Sequence, residues 1–202
     1  MKEDQNKQEQ APMRGAGVRR QLAVFQNPRA LCLAALLAAM SLLLGKFLQI
    51  PTPFSDIVRI SFENLPVILA GMLLGPLAGA MTGVVADLVG CAAYGYAINP
   101  LITLGAGAVG LVSGLVAWGL ERAPLLLRVC ACVLLAHTVG SVLIKTMGLA
   151  AWYLASYQIG YGQLLLWRAL NYLIIGAMEC LLLYLLLRHR GLARQLERMC
   201  KK

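Results

Sequence analysis

The sequence predicts an all-α polytopic membrane protein of about six transmembrane helices, and three observations carry that expectation. Of 202 residues, 59% are hydrophobic and 13% charged, which is too little polar surface to cover a water-soluble globule of this size. Crossings of about 20 residues each consume nearly all of the chain. The basic residues lie outside the apolar runs: Lys2, Lys7, Arg14, Arg19, Arg20 and Arg29 at one end, Arg188, Arg190, Arg194, Arg198, Lys201 and Lys202 at the other. One membrane domain over 30–190 is therefore expected, between a basic segment over 1–29 and a basic tail over 191–202.

The formal charge of +9 is of a size that attracts nucleic acid, but charge stacked outside apolar spans reads as topology, and no nucleic-acid partner is expected. With an even number of crossings both termini share a side. Arg122 and Arg128 fall on it too, leaving Lys46, Arg59, Lys145 and Arg168 opposite, so both ends are predicted to be cytoplasmic.

Helix one is expected from about Ala30 to Leu48, stopped by Pro51 and Pro53. Its apolar run has the length of a signal-peptide core, but no small-residue cleavage site precedes Lys46, so it is read as a retained helix. A short second helix runs from about Glu63 to Leu74, and Gly75-Pro76 turns the chain tightly into a third that continues through Val89. Gly71, Gly75, Gly79 and Gly83 recur every four residues, a spacing that lets helices approach closely in lipid. With Pro76 among them, close packing around the turn is expected rather than one straight stripe. Tyr94-Gly95-Tyr96-Ala97-Ile98-Asn99-Pro100 reads as a reentrant or capping loop. Helix four runs from about Leu101 to Leu120, helix five from about Leu125 to Ala150, and helix six from about Leu164 to Leu187.

An ionisable side chain inside hydrocarbon costs a few kcal/mol, so each needs a partner or a function. Asp87 late in helix three, Lys145 late in helix five and Arg168 early in helix six all map to the outer half, given alternating directions. Arg59 and Glu63 enter helix two from the same side, and Asn99, Trp152, Tyr153 and Asn171 belong to that level. Glu179 lies just below the midplane. One reading pairs Asp87, Lys145, Arg168 and Glu179 as structural ions. The other is an outer pocket in which Arg59, Lys145 and Arg168 exceed Asp87 and Glu63 by one charge, suited to a carboxylate or phosphate.

Phe62, Tyr94, Tyr96, Trp152, Tyr153, Tyr157, Tyr161 and Trp167 suit either an interfacial aromatic belt or a stacking rim. His137 has no second His and no paired thiolates beside it, so it reads as a hydrogen-bonded packing residue, with no metal site and no cofactor expected. Cys32, Cys91, Cys130, Cys132, Cys180 and Cys200 form no Cys-x-x-Cys pair and read as small apolar residues. No Walker lysine, no HExxH and no paired acidic clusters are present, and Ser113 lacks the glycine setting of an intramembrane nucleophile, so no enzyme is predicted. If the protein pumps, ATP must be handled by another subunit.

Ala34, Ala35, Ala38 and Ala39 form two overlapping Ala-x-x-x-Ala pairs on helix one, a smooth face suited to internal packing or to a docked helix. From Ala30 to about Arg190 the chain resembles the substrate-binding S components of energy-coupling factor (ECF) vitamin importers. The folate-type members are matched through Arg59-Ile60-Ser61-Phe62, Leu65-Pro66-Val67, Ala70-Gly71-Met72-Leu73-Leu74-Gly75-Pro76 and Ala86-Asp87-Leu88-Val89-Gly90. Where folate-type members often carry Phe-Pro-Gly-Phe-Thr before helix four, this chain has Tyr96-Ala97-Ile98-Asn99-Pro100-Leu101-Ile102-Thr103. The resemblance implies a compact six-helix S-component bundle that binds a small folate-like vitamin toward the outside. It implies that Ala34, Ala35, Ala38 and Ala39 dock on a transmembrane coupling subunit, which two ATPase subunits drive, and that the S component topples to deliver its solute. Taken with the charge map, the expected solute contacts are Arg59, Phe62, Asp87, Tyr96, Asn99, Lys145, Trp152, Arg168 and Asn171.

Overall fold

The computed structural model describes residues 25–48, 50–51, 59–150 and 160–189. The expected terminal segments apart from residues 25–29, together with Trp152, Tyr153, Tyr157 and Cys200, lie outside the described residues, and of Arg59 only the backbone is placed.

Helix α1 covers Pro28–Phe47, and its start follows from local chemistry: the Asn27 side chain accepts the Arg29 N–H at 3.1 Å and Pro28 supplies the helical φ. Strands β1 (Ile50–Pro51) and β2 (Arg59–Ile60) then pair antiparallel, Ile50 opposite Ile60 and Pro51 opposite Arg59. Helix α2 covers Asn64–Leu74 and helix α3 Pro76–Tyr94. The turn between them rests on Gly75, whose φ of 97° is disfavoured for any residue with a Cβ, followed by a proline at the first helical position. Helix α4 (Pro100–Gly119) repeats the start of α1, with the Asn99 side chain accepting the Leu101 N–H at 3.0 Å ahead of Pro100. Helix α5 covers Leu125–Ala150 and helix α6 Tyr161–Arg188.

Two boundaries and one internal stretch differ from the sequence expectation. α3 runs past Val89 and Gly90 to Tyr94 and stops only at Gly95, which takes a left-handed φ of 69°. Gly90 stays helical because it faces α1: a Cβ there would come within 2.9 Å of Leu42. α6 begins at Tyr161, before Leu164. Within α5, His137–Ile144 form an eight-residue π-helical stretch, closed by the Lys145 N–H bonding back to the Gly140 carbonyl.

α1, α3, α4, α5 and α6 are each long and apolar enough to cross a membrane. α2, at 11 residues, is about 16 Å long and is not. It is instead enclosed by α1, α3 and α4, with Asn64, Pro66 through Met72 and Leu74 all buried. α3 and α4 make the most extensive pairing, and α6 lies against α5. The glycine spacing explains how the centre closes: a Cβ on Gly79 would sit 2.5 Å from the Gly71 Cα and 2.6 Å from the Gly110 carbonyl. The expected packing around the turn is thus present, with α4 as a third party. Outward, large apolar side chains such as Leu36, Leu104, Leu166 and Leu173 are exposed, as bilayer contact requires. The described cysteines are all free thiols.

Candidate functional site

A cavity of about 140 Å³ opens at the end of the bundle where α1 finishes and α2 begins. α1 contributes Ser41, Leu42, Gly45 and Lys46, and α2 brings Asn64 and Val67, with Glu63 just ahead of it. α3 supplies Asp87, Cys91 and Tyr94, α5 supplies Lys145, and Tyr96 stands in the loop after α3.

The position of Lys145 is set by backbone geometry. α4 and α5 touch through Gly105 and Gly140, and a Cβ on Gly105 would lie 2.5 Å from the Lys145 Cγ and 2.9 Å from the Gly140 carbonyl. The lysine stem therefore lies over a glycine, and the wider π turn that precedes it delivers the ammonium toward α2. π turns in α-helices are frequently found at functional positions. There the Lys145 Nζ donates to Glu63 Oε1 at 3.1 Å and to Asn64 Oδ1 at 3.5 Å. The Ser41 hydroxyl donates to the Glu63 carbonyl at 2.6 Å, tying α1 to the start of α2.

Across the cavity, Asp87 Oδ2 accepts the Thr103 hydroxyl at 2.6 Å. At the rim, the Tyr94 hydroxyl donates to the Leu42 carbonyl at 3.3 Å, and the Lys46 ammonium stands 4.8 Å from the centroid of the Tyr94 ring. Tyr96 tilts at 52° to Tyr94 with centroids 6.2 Å apart. The cavity can thus offer ammonium and amide donors, a carboxylate edge and two aromatic faces to one solute.

A second polar group lies deeper. Asn64 Nδ2 donates to Ser141 Oγ at 3.4 Å, and Ser141 Oγ is 3.5 Å from His137 Nδ1. His137 Nε2 is 2.6 Å from Glu179 Oε2, and the His137 ring stacks on Tyr172 at 5.0 Å. Arg168 donates to the Ser141 carbonyl at 3.1 Å and lies over the other ring of this set, 5.5 Å from the Tyr172 centroid.

Set beside known proteins, the model of the family described as ECF-type riboflavin transporter, S component, matches residues 26–188. The chain belongs to that family. A solved structure of FolT bound with folic acid shares the fold of this S component, with a TM-score of 0.60 at 22% identity, covering 78% of this chain and 91% of that one. No curated protein matches the chain. The S component is accordingly a multi-pass membrane protein, as its apolar helices require.

Of the residues expected at the site of this S component, Asp87, Tyr96 and Lys145 line the cavity. Trp152 and the Arg59 side chain lie outside the described residues, and the remaining four are not among those lining the cavity. Arg168 is directed to the Ser141 carbonyl and the Tyr172 ring. Asn99 is consumed by capping α4 and by donating to the Gly148 carbonyl at 2.9 Å. Phe62 is half-buried before α2, and Asn171 is buried in α6, neither among the cavity-lining residues. The expected one-charge cationic excess is replaced, among the described residues lining the cavity, by Lys46 and Lys145 against Glu63 and Asp87. Nor do Asp87, Lys145, Arg168 and Glu179 form ion pairs among themselves: Lys145 takes Glu63, and Glu179 takes His137. Sequence reasoning left Ser41, Lys46 and Asn64 out of the site. Ser41 and Asn64 are polar residues inside apolar runs, a signal that was legible; Lys46 resembled an ordinary topological charge at a helix end.

The four alanines of α1 divide. Ala38 is buried and Ala34 packs against the core, whereas Ala35 and Ala39 are exposed on the adjoining face.

Proposed function

We propose that this S component captures a small anionic, folate-like vitamin at the outer face of the cell membrane and passes it inward, together with a transmembrane coupling subunit and two ATPase subunits, without catalysis of its own. The observation that carries this reading is the cavity at the α1–α2 end, where Lys46, Lys145 and Asp87 meet Tyr94 and Tyr96 in a chain of this family. In this reading both termini are cytoplasmic, which the clustering of basic residues at the two ends supports and which turns the cavity outward. The folic acid bound by the structural relative FolT favours a pterin ring stacked on the tyrosines, with its amino-pyrimidine edge toward Asp87. Arg59 and Trp152 are proposed as further solute contacts, while Asn99 caps the start of α4 and Arg168 bonds the Ser141 carbonyl.

Riboflavin is the second reading, favoured by the description of the matching family. Equilibrium binding of folic acid and of riboflavin to the purified protein decides between them. Tight folic acid binding, weakened in Asp87→Asn, is the expected result; binding of riboflavin with none of folic acid rejects the folate assignment. The docking face is assigned to Ala35 and Ala39, which point away from the bundle. Ala35→Trp and Ala39→Trp should abolish uptake by the complete importer while leaving binding intact, and unchanged uptake in both would remove the assignment.

A further inference from the structure

Lys46 stands apart from the other cations around the cavity. Lys145 is held by Glu63 and Asn64, and Arg168 by the Ser141 carbonyl and Tyr172. Lys46 is exposed in the last turn of α1, lines the cavity, and has no carboxylate partner among the described residues, only the face of Tyr94 at 4.8 Å. A cation over a phenol ring at an exposed position is weakly held. A carboxylate offers the same ammonium charge-assisted hydrogen bonds, which are stronger. The Tyr94 ring, in turn, is fixed by its hydroxyl bond to the Leu42 carbonyl, so the face that Lys46 covers is a rigid platform once the lysine leaves.

We propose that Lys46 is a specificity-determining residue working by exchange on Tyr94: the solute's aromatic ring takes the ring face that Lys46 covers, and the displaced ammonium turns to the solute's carboxylate. This rests on the folate-like reading above and adds to it a rule of recognition. A solute qualifies by carrying both a flat ring and an anionic group one lysine length away. Either half alone binds more weakly, because a ring alone leaves the ammonium displaced without a partner and an anion alone gives up the stacking. The last turn of α1 suits the role, since the basic side chain there is anchored at a helix C-terminus and its stem reaches over the cavity mouth.

The test compares folic acid with 6-hydroxymethylpterin, which keeps the ring and lacks the carboxylates, on the purified full chain, with riboflavin as a third probe. Lys46→Gln should weaken folic acid binding roughly five- to tenfold and change pterin binding less than about twofold, Lys46→Arg should retain both, and Tyr94→Leu should weaken both. Labelling of Lys46 by an amine-reactive reagent, read at its peptide by mass spectrometry, should be slowed by folic acid and not by the pterin. If wild type binds folic acid but Lys46→Gln affects both ligands equally, or neither, the exchange is wrong and the folate reading stands. If wild type binds riboflavin alone, or none of the three, the folate reading and the exchange fall together.

Discussion

Two polar clusters share helix α5, and they are built to opposite ends. At the cavity, Lys145 bonds Glu63 at 3.1 Å, but the Glu63 side chain keeps 38% of its surface open. Two turns earlier, His137 and Glu179 meet at 2.6 Å with side chains 3% and 0% exposed. The first cluster is a set of groups that a solute can contest; the second is shut off from the cavity and, among the described residues, meets the first through Ser141 and Asn64. Both contain charged side chains at intramembrane positions, so the presence of a charge within a span does not mark a binding site by itself. What distinguishes the two is access: the cavity leaves space beside its ions, and the deeper group is buried around the His137–Glu179 contact.

That contrast can be broken most forcefully at Glu179. Replacing it with Leu leaves His137 facing an apolar wall, and breaking a buried pair from one side costs about 3–5 kcal/mol. Thermal unfolding in detergent should show the loss in Glu179→Leu and recovery of most of it in the double variant His137→Leu/Glu179→Leu, with folic acid binding retained by the double. A single variant as stable as wild type would mean the deeper cluster is not a structural pair.

Lys145→Met should act on the other side of the comparison. It removes a charged donor from the cavity, so solute affinity should fall by about 10- to 100-fold, while unfolding changes less than in Glu179→Leu because Glu63 remains partly solvated. Collapse of stability with affinity unchanged would move Lys145 into the structural cluster.

Thr103→Val gives the smallest expected effect. It frees Asp87 Oδ2 from its 2.6 Å hydrogen bond, and losing one orienting bond of this kind is worth about 0.5–1.5 kcal/mol. Affinity measured by calorimetry should drop by less than tenfold, and an unchanged value would show that Asp87 needs no orienting partner.

Much of the bundle was legible in the chain. Asn27-Pro28 and Asn99-Pro100 announce their helices through side-chain caps, and Gly75-Pro76 marks the turn, because these features act over two or three residues. Gly90 misled for the same reason: as a local signal it suggests an end, and only its contact with Leu42 explains why α3 continues. The π stretch at His137–Ile144 has no residue signature, since it arises where α5 must fit Gly105 of α4. At the site, Asp87, Tyr96 and Lys145 were found by the cost of charge and the placement of aromatics, whereas Arg168 shared that cost and is turned to Ser141 instead.

The sequence by itself determined that the chain lives in a bilayer, how many apolar runs it has, where they turn, and which end of the bundle gathers ions, because hydrophobic burial and helix capping depend on composition and near neighbours. Only the tertiary structure decided which ions answer one another. The Lys145–Glu63 and His137–Glu179 contacts join residues 82 and 42 positions apart, and a side chain's partner at that distance is chosen by how helices cross, which no local pattern encodes.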